Sequence, residues 1–393
     1  MSWPRVIVAG GSIGGLTTGL VLRDLGCTVS IYERATTALE DRGAGIVVLP
    51  VTERYLDTRR RRAERVSIEL TNWVYVDGDG EVISTDPGAY RFAAWSSLYR
   101  ALLAEFGREH YHFDREVQGF EESSDGIFAR FGEGRSVEGD LLVFADGFSS
   151  TGRAILLPDL SPEYAGYVAW RGTTEESALS GETQVLLRDA MVYQVLSSGH
   201  ILVYAIPGPD GETSPPNRSI NFVWYRNYPT GGPFEDLMRD RNGVLHSATM
   251  PPGSIRAAHL DEMRSAADRE LAPPLLEVVE SCSDPLIQAI FDVFSPRMAF
   301  GRTCLIGDAA TTLRPHIAAG QAKACADAWS LRDALADARG HVPTALEGWE
   351  AKQVALARSA MDRTRAMGTA SQFDRTMRPG DLDWKFGLWE PGN

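Results

Sequence analysis

Cysteine is scarce in this chain: four in 393 residues, Cys27, Cys282, Cys304 and Cys325, scattered without the spacing of a ligand set. That scarcity excludes a disulfide-built scaffold and a thiolate metal centre, and Cys27 and Cys304 fall in apolar, strand-like runs that bury reduced thiols. Histidine is short too, at seven, with His110-x-His112 the one close pair, so no metal is expected. Positive charge is in deficit, with 39 Lys and Arg against 53 Asp and Glu and a net charge of −14. Such a surface argues against nucleic acid and against an anionic membrane as partners. The one basic run, Arg59 to Arg62, sits beside Asp57 and Glu64 and reads as a solvated helix face. No apolar run reaches the roughly 20 residues that cross a bilayer. The N-terminus enters a strand directly, without a signal-peptide pattern, and a cytoplasmic location is the expectation.

What the chain does have is concentrated in Arg5 to Glu33, RVIVAGGSIGGLTTGLVLRDLGCTVSIYER. Arg5 to Ala9 is the β-branched run of a buried parallel strand, a glycine turn follows, and Leu16, Leu20 and Leu22 supply the apolar face of a helix that Gly26 stops. Thr28 to Tyr32 is a second strand, ending at Glu33 and Arg34. A βαβ unit of this form binds phosphate: Gly10 permits the tight turn, Gly15 the close packing of helix on strand, and the helix N-terminus offers N–H groups to a pyrophosphate. Glu33, 18 residues after Gly15, is placed to accept hydrogen bonds from a ribose. Where the G-x-G-x-x-G pattern has its second glycine, this chain has Ser12, whose hydroxyl can contribute a contact of its own.

Further along, Asp77-Gly78-Asp79-Gly80 marks a hairpin between strands, and Leu141 to Phe144 is a strand ending in Ala145-Asp146-Gly147. From about Tyr164 the texture becomes β-branched and aromatic, with strands expected at Tyr167–Arg171, Thr183–Leu187, Met191–Leu196, His200–Ile206 and Ser219–Tyr228. Pro229 to Val279 reads as mainly helical. The α/β texture then returns at Phe300 to Ile306, followed by Gly307-Asp308 and a long helix from about Gly320. The fold class is therefore α/β, a Rossmann-like nucleotide domain interrupted by an antiparallel β-sheet domain and closed by C-terminal helices.

Three blocks in order, the strand-turn-helix ending at Glu33, FADGFSSTGR at Phe144 to Arg153, and LIGDAATTLRP at Leu305 to Pro315, resemble the single-component FAD-dependent aromatic hydroxylases, the para-hydroxybenzoate hydroxylase group. The segments GGSIGG, GAGIVVLP, YAGYVAWRG and RPHIAAGQAKA look most like its 2,6-dihydroxypyridine 3-hydroxylase branch. The resemblance implies a discontinuous FAD-binding domain of 1–70, 93–163 and 290–367, a substrate domain of 71–92 and 164–289, and a tail of 368–393. It implies FAD contacts from Gly10, Ser12, Gly15, Glu33 and Arg34, from Asp146, Gly147 and Arg153, and from Gly307, Asp308, Pro315 and Gly320. Arg42, Gly45 and Val47, in and after the loop DRGAGI, are expected to line the flavin.

The function that follows is that of a monooxygenase in which NADH or NADPH reduces FAD, oxygen adds at flavin C4a, and a small hydroxylated aromatic or N-heterocycle is hydroxylated. His316 is the candidate to orient or deprotonate a ring hydroxyl, and Tyr225, Tyr204 and Tyr193 are candidates for the pocket floor. Epoxidation or Baeyer–Villiger insertion on a natural product is the alternative within the class. A non-catalytic nucleotide-binding regulator is the alternative outside it. The aromatic tail DLDWKFGLW, Asp381 to Trp389, suggests docking on the body or on a partner, a homodimer included.

Overall fold

The computed structural model describes residues 3–39, 44–59, 66–381 and 385–389. Its first layer is a six-stranded sheet in the order Ala299–Phe300, Thr303–Leu305, Leu141–Phe144, Arg5–Ala9, Thr28–Tyr32, Tyr111–His112. All neighbours run parallel except the hairpin of the first two. Val6 to Ala9 and Leu141 to Phe144 are buried throughout, which is why both read as continuous apolar runs without alternation. The helix Ile13–Leu25 covers one face and packs on Gly320–Asp337, where Gly14 leaves room for Ala324 and the Thr17 hydroxyl meets Cys325 Sγ at 3.5 Å.

The second layer is a large, mostly antiparallel sheet. Its order is Thr249–Met250, Leu286–Phe294, Glu163–Glu175, Ser219–Asn227, Gly199–Ile206, Ala190–Leu196, Ile68–Val76, Val82–Ala94, Gly45–Val48. Only the contact between Ala190–Leu196 and Ile68–Val76 is parallel. The hairpin expected at Asp77 is present, with Asp77 Oδ1 accepting from the backbone of Asp79 and Glu81 at 3.0 Å each. Gly45–Val48, which the sequence groups with the nucleotide domain, pairs instead at the edge of this large sheet. Leu286–Phe294 likewise continues the sheet past residue 289. The two layers thus share segments, and each encloses its own apolar core.

One expected strand is a helix. Thr183 to Leu187 lies in the helix Gly181–Leu187, because Ser180 caps it by accepting from Thr183 N, and Glu277 in turn accepts from both the Ser180 and Thr183 hydroxyls. A β-branched, apolar run alone does not separate a short helix from a strand; the cap does. All four cysteines are buried and unpaired. Among the described residues no helix is long and apolar enough to cross a membrane.

A buried ion pair fastens one end of the large sheet. Arg218 donates from Nε and Nη2 to the two oxygens of Glu176 at 2.8 and 2.5 Å, with both side chains nearly inaccessible, and Nη1 donates to the Arg188 carbonyl. Replacing Arg218 by Ala leaves a buried carboxylate without its partner, so urea unfolding should show a loss of about 3–5 kcal/mol. A loss under about 1 kcal/mol would mean that water replaces the guanidinium.

Candidate functional site

The glycine turn brings three backbones together. Gly10 has φ +97°, and a Cβ there would stand 2.3 Å from the Ala145 carbonyl oxygen; one on Gly15 would stand 1.9 Å from the Gly10 oxygen. Both positions require glycine for the close crossing of strand, turn and helix. Glu33 is buried and closes the turn from the far strand, accepting from Gly11 N at 2.8 Å and Ala35 N at 2.9 Å. Ser12 is the N-cap residue of the helix, and its side chain makes no capping bond. Gly10, Ser12, Glu33, Arg34, Asp146 and Gly147 all line one cleft of about 250 Å³, with Trp95 stacked on Tyr99 at its side. Arg42 lies outside the described residues.

The second and third blocks are bolted together by Arg153. Its guanidinium is buried and donates to the carbonyls of Asp308, Ala309 and Phe148. Its donors are therefore engaged with backbone, and its geometry is that of a brace between loops. Ser150 caps the short helix Thr151–Leu156. Asp146 accepts from Gly152 N through one oxygen while the other, buried, has no partner, and burial raises its carboxyl above the usual range. The turn at Gly307, φ +55°, is held from below: Gly307 N donates to Asp327, which also takes the buried Lys323 ammonium at 2.6 Å. Asp308 lines a pocket that adjoins the cleft and shares Arg34, Asp146 and Gly147 with it, and desolvation pushes its carboxyl up to about 6, opposed by Arg153 and Lys323.

A second cavity, of about 170 Å³, opens beyond Asp308 and Pro315. Gly45, Val47, Gly320, Tyr193, Tyr204, Tyr225, His200 and His316 all line it, so eight residues from five separate segments meet there. The sheet register explains the meeting. Tyr193 pairs with Leu202, Leu202 with Val223 and Val223 with Arg171, laying one row of side chains across four strands, while Tyr204 pairs with Asn221 in the adjacent row. Gly45 is clamped against these rows. Its N–H donates to Asn221 Oδ1 at 2.8 Å, and its carbonyl accepts from Arg171 Nη2 at 2.6 Å and Tyr204 Oη at 2.9 Å.

Tyr204, a candidate for the pocket floor in the sequence, does line the cavity, but its hydroxyl is committed to a backbone carbonyl and holds Gly45, which leaves it no catalytic proton to move. Tyr225 and Tyr193 differ: neither hydroxyl has a protein partner among the described residues, and burial raises both phenols far above their usual range, so both carry their protons. His316 sits in the turn Pro315–Ile317, its Nε2 2.7 Å from the Tyr167 hydroxyl and its Nδ1 buried without a partner. Burial, His200 and Arg314 hold its pKa well below that of a free imidazole. His200 bonds Ser371 through Nδ1 at 2.6 Å, and burial lowers its pKa to about 3.

Sequence reading missed Tyr167, Arg171, His200 and Gln288. Arg171 lay within the quoted segment YAGYVAWRG, and its charge inside an otherwise apolar strand was the available signal. The tail segment was missed as a wall of the cavity: Phe386 lines it and packs on Trp73 and Tyr90, and Gly387 N donates to the Ile317 carbonyl at 3.0 Å. No cluster of three or more His, Cys, Asp or Glu that could hold a metal occurs among the described residues.

A family model described as FAD binding domain-like matches residues 164–292. The chain is 34% identical to the 2,6-dihydroxypyridine 3-monooxygenase of Paenarthrobacter nicotinovorans, over 98% of this chain and 96% of the relative. The solved structure of 2,6-dihydroxypyridine-3-hydroxylase from Arthrobacter nicotinovorans is similar with a TM-score of 0.93 at 32% identity, covering 100% of this chain and 99% of that one. A Klebsiella pneumoniae structure complexed with FAD and uric acid shares the fold, with a TM-score of 0.77 at 23% identity over 95% of this chain and 90% of that chain.

The buried histidines carry a pH signature. Unfolded, His200 takes up a proton near pH 6.5; folded, only near 3. Its contribution to stability is therefore complete above pH 6.5 and falls as the pH drops, by about 1.4 kcal/mol per unit. Unfolding free energies measured from pH 6 to 4 should lose about one proton's worth of slope in His200→Gln. An unchanged slope would mean that His200 is protonated in the fold.

Proposed function

We propose, on the premise that this chain belongs to the single-component FAD-dependent aromatic hydroxylases, that its substrate is a small hydroxylated N-heterocycle of the 2,6-dihydroxypyridine kind. The protein is a flavin-dependent monooxygenase, with FAD as cofactor and NAD(P)H and oxygen as co-substrates. Its fold is the α/β one expected, a Rossmann-type domain with an inserted antiparallel sheet.

The residues present fit the cofactor. Gly10, Ser12 and Gly15 leave the helix N-terminus open for the pyrophosphate, and Glu33, with both oxygens already fixed by backbone N–H groups, keeps lone pairs for a ribose. Arg34 lines the same cleft at its rim. The unpartnered oxygen of Asp146 and the carboxyl of Asp308, both raised by enclosure, are acceptors waiting for hydroxyl donors, which a ribityl chain carries. Gly45, Val47, Gly147, Pro315 and Gly320 present backbone and small side chains where a flat ring can approach, while Gly307 turns the chain behind Asp308. Arg153 serves from behind, as the brace that holds Asp308 in place. Reduced FAD supplies the activated oxygen.

The chain's own residues then act on the substrate. The observation that carries the reading is a small cavity with an aromatic floor and polar atoms lacking protein partners, among them His316 Nδ1 and the hydroxyls of Tyr193 and Tyr225. An apolar ring would leave all three unsatisfied, at a cost of about 1–3 kcal/mol each. A ring bearing two oxygens and a nitrogen can meet them while its faces lie against aromatic side chains. Phe386, from the tail, adds an apolar side chain to the cavity wall, the kind of surface that keeps water from a reactive oxygen. The need for NAD(P)H and the four unpaired, buried thiols fit a cytoplasmic location. The tail docks on the chain's own body, so it gives no support to a homodimer.

Purified holoprotein should consume NAD(P)H and oxygen on addition of 2,6-dihydroxypyridine and return the hydroxylated ring in near-stoichiometric amount. NAD(P)H oxidation that yields only hydrogen peroxide would reject this ring as the substrate. A protein that binds no FAD would reject the enzyme reading altogether.

A further inference from the structure

We infer that Phe386, carried on the C-terminal tail, sets the size limit of the cavity: it restricts the substrate to a single ring, and a fused second ring has to take the place of its side chain. The inference rests on the reading of this cavity as the substrate site.

Phe386 is buried, and its ring lies against Trp73 and Tyr90 with centroids 4.9 and 5.3 Å away. Those two rings belong to the wall of another cavity, of about 190 Å³, which Tyr75 and Lys385 also line. Phe386 therefore stands between the cavity where His316, Tyr193 and Tyr225 meet and an aromatic layer that borders free space of its own. Tyr193 also touches that layer, stacked on Trp73 at 5.2 Å.

The two side chains differ in how they are held. Tyr193 sits in Ala190–Leu196, which pairs with Gly199–Ile206 on one side and Ile68–Val76 on the other, so its place is fixed by two ladders. Tyr204 and Tyr225 are likewise in strands paired on both sides. Phe386 lies outside any strand. Among the described residues, each hydrogen bond that secures its segment engages the tail's main chain. Gly387 N donates to the Ile317 carbonyl at 3.0 Å, Arg363 donates to the carbonyls of Lys385 and, at 2.8 Å, Gly387, and the Tyr90 hydroxyl donates to the Phe386 carbonyl at 3.5 Å. The Phe386 side chain contributes packing alone, so the tail can keep its course when that side chain is cut back. Even one methylene changes discrimination in an apolar pocket by about 10–200-fold. A fused benzo ring adds more than a methylene, yet fewer atoms than Phe386→Ala removes. With the Phe386 side chain in place, such a ring enters only by forcing side chains off their rotamers.

The test compares 2,6-dihydroxypyridine with 1,3-dihydroxyisoquinoline, which keeps the same nitrogen and both oxygens and carries a benzo ring fused along one side. For the FAD-loaded protein, the ratio of kcat/KM for the bicyclic ring to that for the single ring should rise at least about 100-fold from the unaltered protein to Phe386→Ala, with Phe386→Leu between them. A merely structural loss of the tail would lower both rates together and leave the ratio where it was. An unchanged ratio overturns the inference, as does an unaltered protein that turns over both rings equally well. A crystal structure of FAD-loaded Phe386→Ala needs no substrate, and in it the cavity should reach the faces of Trp73 and Tyr90. A tail or a Trp73 that has moved in to fill the space overturns the inference. If 2,6-dihydroxypyridine is not turned over at all, the proposed substrate is rejected, and the crystal structure alone decides the size limit.

Discussion

Three hydrogen bonds to one glycine hold the two halves of the active region together. Gly45 begins the edge strand of the large sheet, yet the side chains that grip it come from three other strands: Asn221 on its N–H, Arg171 and Tyr204 on its carbonyl. A side chain at this position would stand 2.7 Å from Asn221 Cγ, so the grip depends on there being none. The arrangement leaves Arg171 Nε and Asn221 Nδ2 buried without protein partners. Groups of that kind are costly in a finished interior, and Arg171 also lines the cavity. The clamp therefore orders the cavity floor.

Much of this was legible in the sequence, because phosphate binding and close chain crossings impose residue types at fixed spacing. Gly10, Gly15 and Glu33 are readable for that reason: the turn admits no Cβ, and the strand end needs an acceptor. Asp308, at a strand end after Gly307, belongs to the same class. Arg153 was legible as a conspicuous charge but not in its role, since nothing in a linear pattern says that its donors face three carbonyls from two loops. Tyr204 and Tyr225 show the same limit. They lie on neighbouring strands of one sheet, and one hydroxyl serves the backbone while the other has no protein partner. That difference is set by cross-strand register, which depends on strands far apart in the chain.

Tyr167 and His200 were illegible for a further reason. Each is an aromatic or near-aromatic residue in a strand of aromatic residues, where core packing is the ordinary use. Only the convergence of Tyr167, His200, Tyr225 and His316 within ring-contact distances of about 4.7 to 6.2 Å sets them apart. The same holds for the helix Gly181–Leu187, whose apolar, β-branched sequence suits a strand until its cap and Glu277 are seen.

The placing of Phe386 has a consequence for how the protein is made. The nucleotide cleft is assembled from segments that end near residue 151, with the loop at Gly307 and the helix behind it completing the cofactor's surroundings. The cavity wall waits for Phe386 and for the tail's tie from Gly387 to Ile317. On the ribosome, where chains emerge at roughly 5–20 residues per second, a molecule is able to gather its cofactor surface before the last wall of the substrate cavity has been made. The order of synthesis thus runs from the cofactor cleft to the last wall of the substrate cavity.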